Sequence, residues 1–258
     1  MAPAETAAIE MENLTKRFGE TTAVSNLTTS IEAGTVYGFL GPNGAGKTTT
    51  MQILTTLIRP TSGTARVAGH SIENREAVTP NIGYLPEEPP LYDELTGREQ
   101  LEYVAGLRDL PEQQTTGRID RLLERFDLDD DANKRIGAYS KGMRQKVGVI
   151  QAVLHEPAVA FLDEPTSGLD PRAARTMRDT IAELAGQDMT IFLSTHILPV
   201  VDELADTVGV LHQGKLVTEG DPETLKHRAE TGESRSLEDA FLEVTQETPE
   251  QVQADSTS

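Results

Sequence analysis

Residues 41–49 read Gly41, Pro42, Asn43, Gly44, Ala45, Gly46, Lys47, Thr48, Thr49, and few stretches of nine residues restrict a fold so strongly. They satisfy G-x-x-x-x-G-K-[ST], the pattern of a loop that wraps phosphate groups. The flanks agree: residues 35–40 read as a buried strand and residues 48–57 as a helix. Glycines let the backbone curl so that successive N–H groups point at phosphate oxygens. The helix start adds free N–H groups and a partial positive charge. In such a loop Lys47 reaches the β- and γ-phosphates, and the Thr48 hydroxyl holds Mg²⁺.

A second motif lies 116 residues beyond that lysine, where Val159-Ala160-Phe161-Leu162 runs into Asp163-Glu164. An apolar run of this length fits a parallel strand buried on both faces. Its end would present the acids at the carboxyl edge of the sheet, where α/β folds bind nucleotides. Asp163 can act on Mg²⁺, directly or through water, and Glu164 can accept a proton from an attacking water. The pair is a weak signal alone and a strong one beside the loop. A third motif, Tyr139-Ser140-Lys141-Gly142-Met143-Arg144-Gln145, precedes a helix whose Val147, Ile150 and Leu154 share a face. Ser140 suits its N-cap. On those residues alone this is a capped helix start.

Composition narrows the classes. There is no cysteine, so no disulfide framework or thiolate metal site exists. No apolar segment nears the ~20 residues needed to cross a bilayer, and residues 1–10 show no signal-peptide pattern. A membrane role would run through another chain. The formal net charge is −19. Eleven acids against three bases from residue 219 onward leave −11 for the rest, so the acidity is spread. Seven lysines stand beside 16 arginines, which suggests a surface suited to high salt and a halophilic source. Such a field disfavours nucleic acid, which needs Lys/Arg patches.

Residues 9–40 alternate apolar and polar positions with turns at 18–20 and 32–34, and read as short strands. A turn at 59–63 and a strand at 65–69 follow. Pro80, Pro86, Pro89 and Pro90 mark a loop that ends near Leu95. Thr96 can cap a helix to 109, and a second helix spans 112–126 with Leu122, Leu123 and Phe126 on one face. Residues 93–155 are read as a mostly helical insertion. The α/β pattern resumes with strands at 158–162 and 190–194, a helix at 172–185, and a hairpin of 208–212 and 215–218 turning at Gln213-Gly214. Terminal helices are expected over 222–229 and 237–245, a flexible start over 1–8, and a polar, disordered tail over 246–258.

In order and spacing, the motifs from about residue 9 to 245 resemble the ATP-binding subunit of an ABC transporter. The resemblance implies an α/β P-loop NTPase with a RecA-like core sheet, an antiparallel β subdomain and an inserted helical subdomain. It implies ATP and Mg²⁺ as cofactors and a head-to-tail pair, either two copies or this chain with a related ATPase subunit. Each ATP would lie between one subunit's loop and the other's Ser140-Lys141-Gly142. This signature departs from the usual L-S-G-G-Q at Tyr139, Lys141 and Met143, and Lys141 adds a positive charge. Phe18 matches the aromatic that stacks on adenine. Ser167-Gly168-Leu169-Asp170 matches the loop joining the two sites, and His196 the switch histidine near the γ-phosphate. Glu87 stands where the family has glutamine; as a hard oxygen donor it can still serve Mg²⁺.

The resemblance assigns catalysis to Lys47, Glu164 and His196, and metal binding to Thr48, Glu87 and Asp163. Glu87, the signature and residues 236–242 look like the branch paired with ABC-2 type permeases, which mostly exports. An integral-membrane permease would then be the partner, with one of its cytoplasmic helices received around 87–95. This chain would sit at the cytoplasmic face of the membrane. Three rival readings fit less well. A soluble ABC-family ATPase of translation or repair usually carries two modules or a long coiled coil. A GTPase needs N-K-x-D, and Asn133-Lys134-Arg135-Ile136 lacks the aspartate. A non-hydrolysing subunit would not need Lys47, Asp163, Glu164 and His196 together.

Overall fold

The structure, a computed structural model, describes residues 7–186, 189–223 and 225. Strands β1 (Ala7–Phe18) and β2 (Thr21–Glu32) are longer than the short strands expected. Their alternation buries Ile9, Met11 and Leu14 against Val24, Leu27 and Ile31. Asn13 and Asn26 take left-handed backbone angles where the register shifts, which lets each strand bend. β3 (Val36–Leu40) is buried throughout and delivers the chain to the loop at 41–46.

Helix α1 (Lys47–Leu54) follows, three residues shorter at its end than expected. The Thr56 N–H donates to the Ile53 carbonyl and the Leu57 N–H to the Gln52 carbonyl, a Schellman closure. Thr56 holds the left-handed position at φ 62°, where glycine is usual. β4 (Ser62–Val67) begins earlier than expected, and it ends where Ala68 and Gly69 take positive φ and turn the chain into β5 (His70–Ser71). These strands complete an antiparallel sheet in the order β2-β1-β4-β5. A short helix α2 (Arg75–Val78) leads to β6 (Ile82–Leu85), a strand inside the segment read as a loop.

The helical insertion contains α3 (Gly97–Leu107), α4 (Glu112–Arg125) and α5 (Lys141–Val153). Thr96 and Glu99 form a capping box on α3, and the Ser140 hydroxyl accepts from the Met143 N–H at the start of α5. Leu122, Leu123 and Phe126 are buried, as their shared face requires. β7 (Val159–Asp163), α6 (Pro171–Ala185), β8 (Thr190–Thr195), α7 (Leu198–Leu204), β9 (Thr207–His212) and β10 (Lys215–Gly220) complete the described elements.

The second sheet runs β10-β9-β3-β8-β7-β6; every pair is parallel except β10 with β9. Phe192 joins its strands, with ring centroids 5.4 Å from Tyr37, 5.1 Å from Phe39 and 5.6 Å from Phe161. One core packs this sheet against the antiparallel one, and another packs its far side against α3–α6. Both cores hold the carboxyl ends of β3, β7 and β8 in fixed register. The terminal helix expected over 237–245 and the tail lie outside the described residues. So does the helix over 222–229, apart from residues 222, 223 and 225. There the Leu225 N–H donates to the Asp221 carbonyl, and Leu225 is buried beside Leu40 and Val201.

Candidate functional site

Residues 42–49 of the loop, Glu87 and Glu164 surround a cavity of about 250 Å³, which Ala23 also lines. Gly46 begins α1 at φ 108°, and a Cβ there would fall 2.3 Å from the Ala23 carbonyl oxygen. Only glycine fits, and the backbone is thereby pressed against β2. Gly214 braces the loop beside Ala23: its N–H donates to the Ala45 carbonyl at 2.8 Å, and its carbonyl accepts from the Ser25 N–H. The sequence marked Gly214 as a hairpin turn and gave no sign of this brace.

Lys47 is buried and folds back over its own loop. Its ammonium donates to the Gly41 carbonyl at 2.7 Å and the Pro42 carbonyl at 3.3 Å. Glu164 Oε1 lies 3.3 Å from the same nitrogen, with both side chains under a tenth exposed. Glu164 Oε2 is 3.0 Å from His196 Nδ1. So Lys47, Glu164 and His196, far apart in sequence, form one chain of contacts.

Glu164 takes φ 50°, a left-handed backbone that costs a non-glycine residue about 1–2 kcal/mol. The Glu164 N–H donates to both the carbonyl and the Oγ of Ser194 on β8, which holds the strained turn. The Ser194 hydroxyl in turn donates to Asp163 Oδ1 at 2.5 Å. Sequence reasoning missed Ser194, because a serine inside an apolar strand carries no marking pattern. Burial, then the nearby Asp163, pushes the Tyr84 phenol up to about 12, so this tyrosine stays neutral beside the acids.

Thr48 is exposed at the start of α1. Thr48, Asp163 and Glu87 supply oxygen donors alone, the chemistry that Mg²⁺ prefers. Among the described residues no group of three His, Cys, Asp or Glu could hold a metal unaided. Two carboxylates, Glu87 and Glu164, line a cavity that is otherwise an anion cradle. A phosphate entering it meets both, so a divalent counter-cation fits this donor set.

The remaining candidates stand apart from the cradle. Phe18 is 51% exposed at the end of β1 with the Lys16 ammonium 4.9 Å from its ring centroid, so one face already holds a cation. Ser140, Lys141 and Gly142 form the start of α5, and none of them lines the cavity. Lys141 does not project freely: its side chain covers Gly168, where an added Cβ would lie 2.4 Å from Nζ.

A family profile described as ABC transporter matches residues 24–167. Daunorubicin resistance ATP-binding protein DrrA3 of Streptomyces coeruleorubidus is 42% identical over 229 residues, 88% of this chain and 72% of that one. Bacitracin transport ATP-binding protein BcrA of Bacillus licheniformis is 40% identical over 222 residues, 85% of this chain and 72% of that one. A solved structure described as the ATP binding subunit of an ABC transporter superposes with a TM-score of 0.82 at 31% identity, covering 93% of this chain and all of that one. With its glycine cradle, buried lysine and paired acids on that fold, the chain belongs to the ABC transporter family as one of its ATP-binding subunits.

Proposed function

We propose that two such subunits meet head to tail, each closing the other's cradle with Ser140-Lys141-Gly142, and that ATP hydrolysis at the seam drives export through a separate ABC-2 type permease. One observation carries this reading. The cradle has its lysine and its base, yet no signature residue lines it, while that signature stands elsewhere on the chain. Two relatives named for daunorubicin resistance and bacitracin transport support the export direction. The adjacent membrane chain would choose the cargo. No helix among the described residues is long and apolar enough to cross a membrane. The subunit would attach at the cytoplasmic face through its permease.

In the proposed cycle the loop N–H groups and Lys47 take the phosphates, and the Lys47 ammonium exchanges Glu164 for phosphate oxygen. Glu164, held by its strained turn, accepts a proton from water. The water oxygen bonds to the γ-phosphorus as the bond to the bridging oxygen breaks, giving ADP and phosphate. His196 holds the second oxygen of Glu164 and so fixes its direction. Thr48, Asp163 and Glu87 would hold Mg²⁺, whose charge offsets that of the phosphates. Phe18 would stack on adenine. Losing the γ-phosphate removes what joins the halves, and the seam opens.

Turnover that rises with the square of protein concentration at low concentration tests the dimer; strict first-order dependence contradicts it. The spread acidity further supports a halophilic setting, in which the unfolding midpoint rises with molar KCl; a midpoint unmoved by salt opposes it.

A further inference from the structure

Beyond the nucleotide cradle, a cavity of about 690 Å³ opens where α1 ends and β4 begins. Arg59 and Arg75 line it, together with the apolar Leu57, Ile58, Pro60 and Ile72. One more cation stands at its edge: the Lys16 ammonium donates to the Arg59 carbonyl at 2.6 Å. Among the described residues none of these three cations has an ion-pair partner. Glu73 is the only acid among the described lining residues. Three cations without an ion pair around one cleft are unexpected in a chain of net charge −19, where carboxylates are abundant.

The walls are held in place. Arg75 gives one donor to the Thr56 carbonyl at 3.1 Å, which leaves four of its five N–H groups for a ligand. Thr56 holds the left-handed turn where glycine would be unstrained, a kind of departure that concentrates at binding sites. A volume of this size suits a small organic ligand, and guanidinium forks suit phosphoryl oxygens. From this geometry we infer that the cleft is a second anion site, one that takes a phosphoryl group carried on an apolar body. Arg59 and Arg75 grip the phosphoryl oxygens, and Leu57, Ile58, Pro60 and Ile72 cover the body. Neither the cradle nor dimerisation is needed for it.

The test uses the full chain with a non-hydrolysable ATP analogue and Mg²⁺ saturating the cradle. Phenyl phosphate is titrated by calorimetry, and vesicles of phosphatidic acid in phosphatidylcholine are co-sedimented. One phenyl phosphate per chain is expected, and Arg59→Gln and Arg75→Gln should each weaken it roughly tenfold. Arg121→Gln, on α4, should leave it unchanged. Arg59 makes no side-chain hydrogen bond or ion pair among the described residues, so its variant stays informative if Arg75→Gln disturbs the fold. Binding of phenyl phosphate but not vesicles supports the site with a soluble phosphate ester as its source. Vesicle binding that Arg59→Gln abolishes supports it with a lipid headgroup as the source. No binding in either arm, or binding that neither arginine variant weakens, overturns it.

Discussion

Replacing Glu164 by glutamine removes one charge from the centre of the site and keeps its size and hydrogen bonding. That carboxylate lies 3.3 Å from the Lys47 ammonium. Two unit charges at that distance attract by about 5 kcal/mol at an effective dielectric near 20. Desolvation of both groups cancels most of that, because both are nearly fully buried. Taking roughly 1.4 kcal/mol as the net hold on Lys47, ATP should bind Glu164→Gln about tenfold more tightly than wild type. The same carboxylate also repels the phosphates directly, so its loss acts in the same direction. Turnover should fall by about 10²–10⁴, the usual worth of a general base. The amide that replaces the carboxylate keeps an oxygen for His196, so the loop should stay in place. Calorimetric ATP titration at protein concentrations too low for pairing measures the first effect, and phosphate release the second. Equal or weaker ATP binding by the variant would refute the Lys47–Glu164 hold. Undiminished phosphate release would remove Glu164 as the base.

Three further outcomes follow from local physics. Thr56→Gly should add about 1 kcal/mol of stability, read as a higher urea midpoint at unchanged slope, since it relieves a β-branched left-handed residue and a buried, unpartnered hydroxyl; a lower midpoint would refute the strain. The His155 imidazole is pushed down to about 4 by burial, then by Arg108 and Arg118. In the unfolded chain it titrates near 6.5, so its neutral form stabilises the fold fully above that pH. That contribution, about 1–2 kcal/mol after solvent screening, is lost as pH falls from about 6.5 to 4. His155→Gln should flatten stability across that window in urea melts, and an unchanged slope would contradict the assignment. Glu87→Gln should bind ATP with a shallower Mg²⁺ dependence than wild type, because one carboxylate leaves the cradle; superimposable Mg²⁺ titrations would exclude Glu87 from the site.

The buried strands and the cradle were legible because their signals are local. Alternation around Ile9 and Leu27, full burial at 36–40 and 159–163, and the glycine pattern at 41–46 each depend on a few neighbouring residues. What was missed depends on tertiary context or on the ambiguity of proline. β6 has only four residues and sits between Pro80 and Pro86, so its neighbours read as loop. α7 was hidden by Pro199, which is tolerated because it occupies the first turn, where its missing N–H has no partner to lose. Ser194 and Gly214 matter through bonds to Glu164, Asp163 and Ala45 that no spacing along the chain encodes. The fold of Lys47 onto Glu164 is likewise a property of the assembled sheet edge. Lys141 was expected to add charge at the partner's phosphate, and in the single chain its side chain covers Gly168 instead.

The shared-site claim is tested most directly by mixing two dead variants, Lys47→Ala, which lacks a working cradle, and Ser140→Arg, whose signature is blocked. Each should be inactive alone. Mixed in equal amounts, they should recover up to about a quarter of wild-type turnover, from mixed pairs in which the intact cradle of one copy meets the intact signature of the other. A mixture as inactive as its components, or a Ser140→Arg copy that hydrolyses ATP unaided at the wild-type rate, would contradict the account.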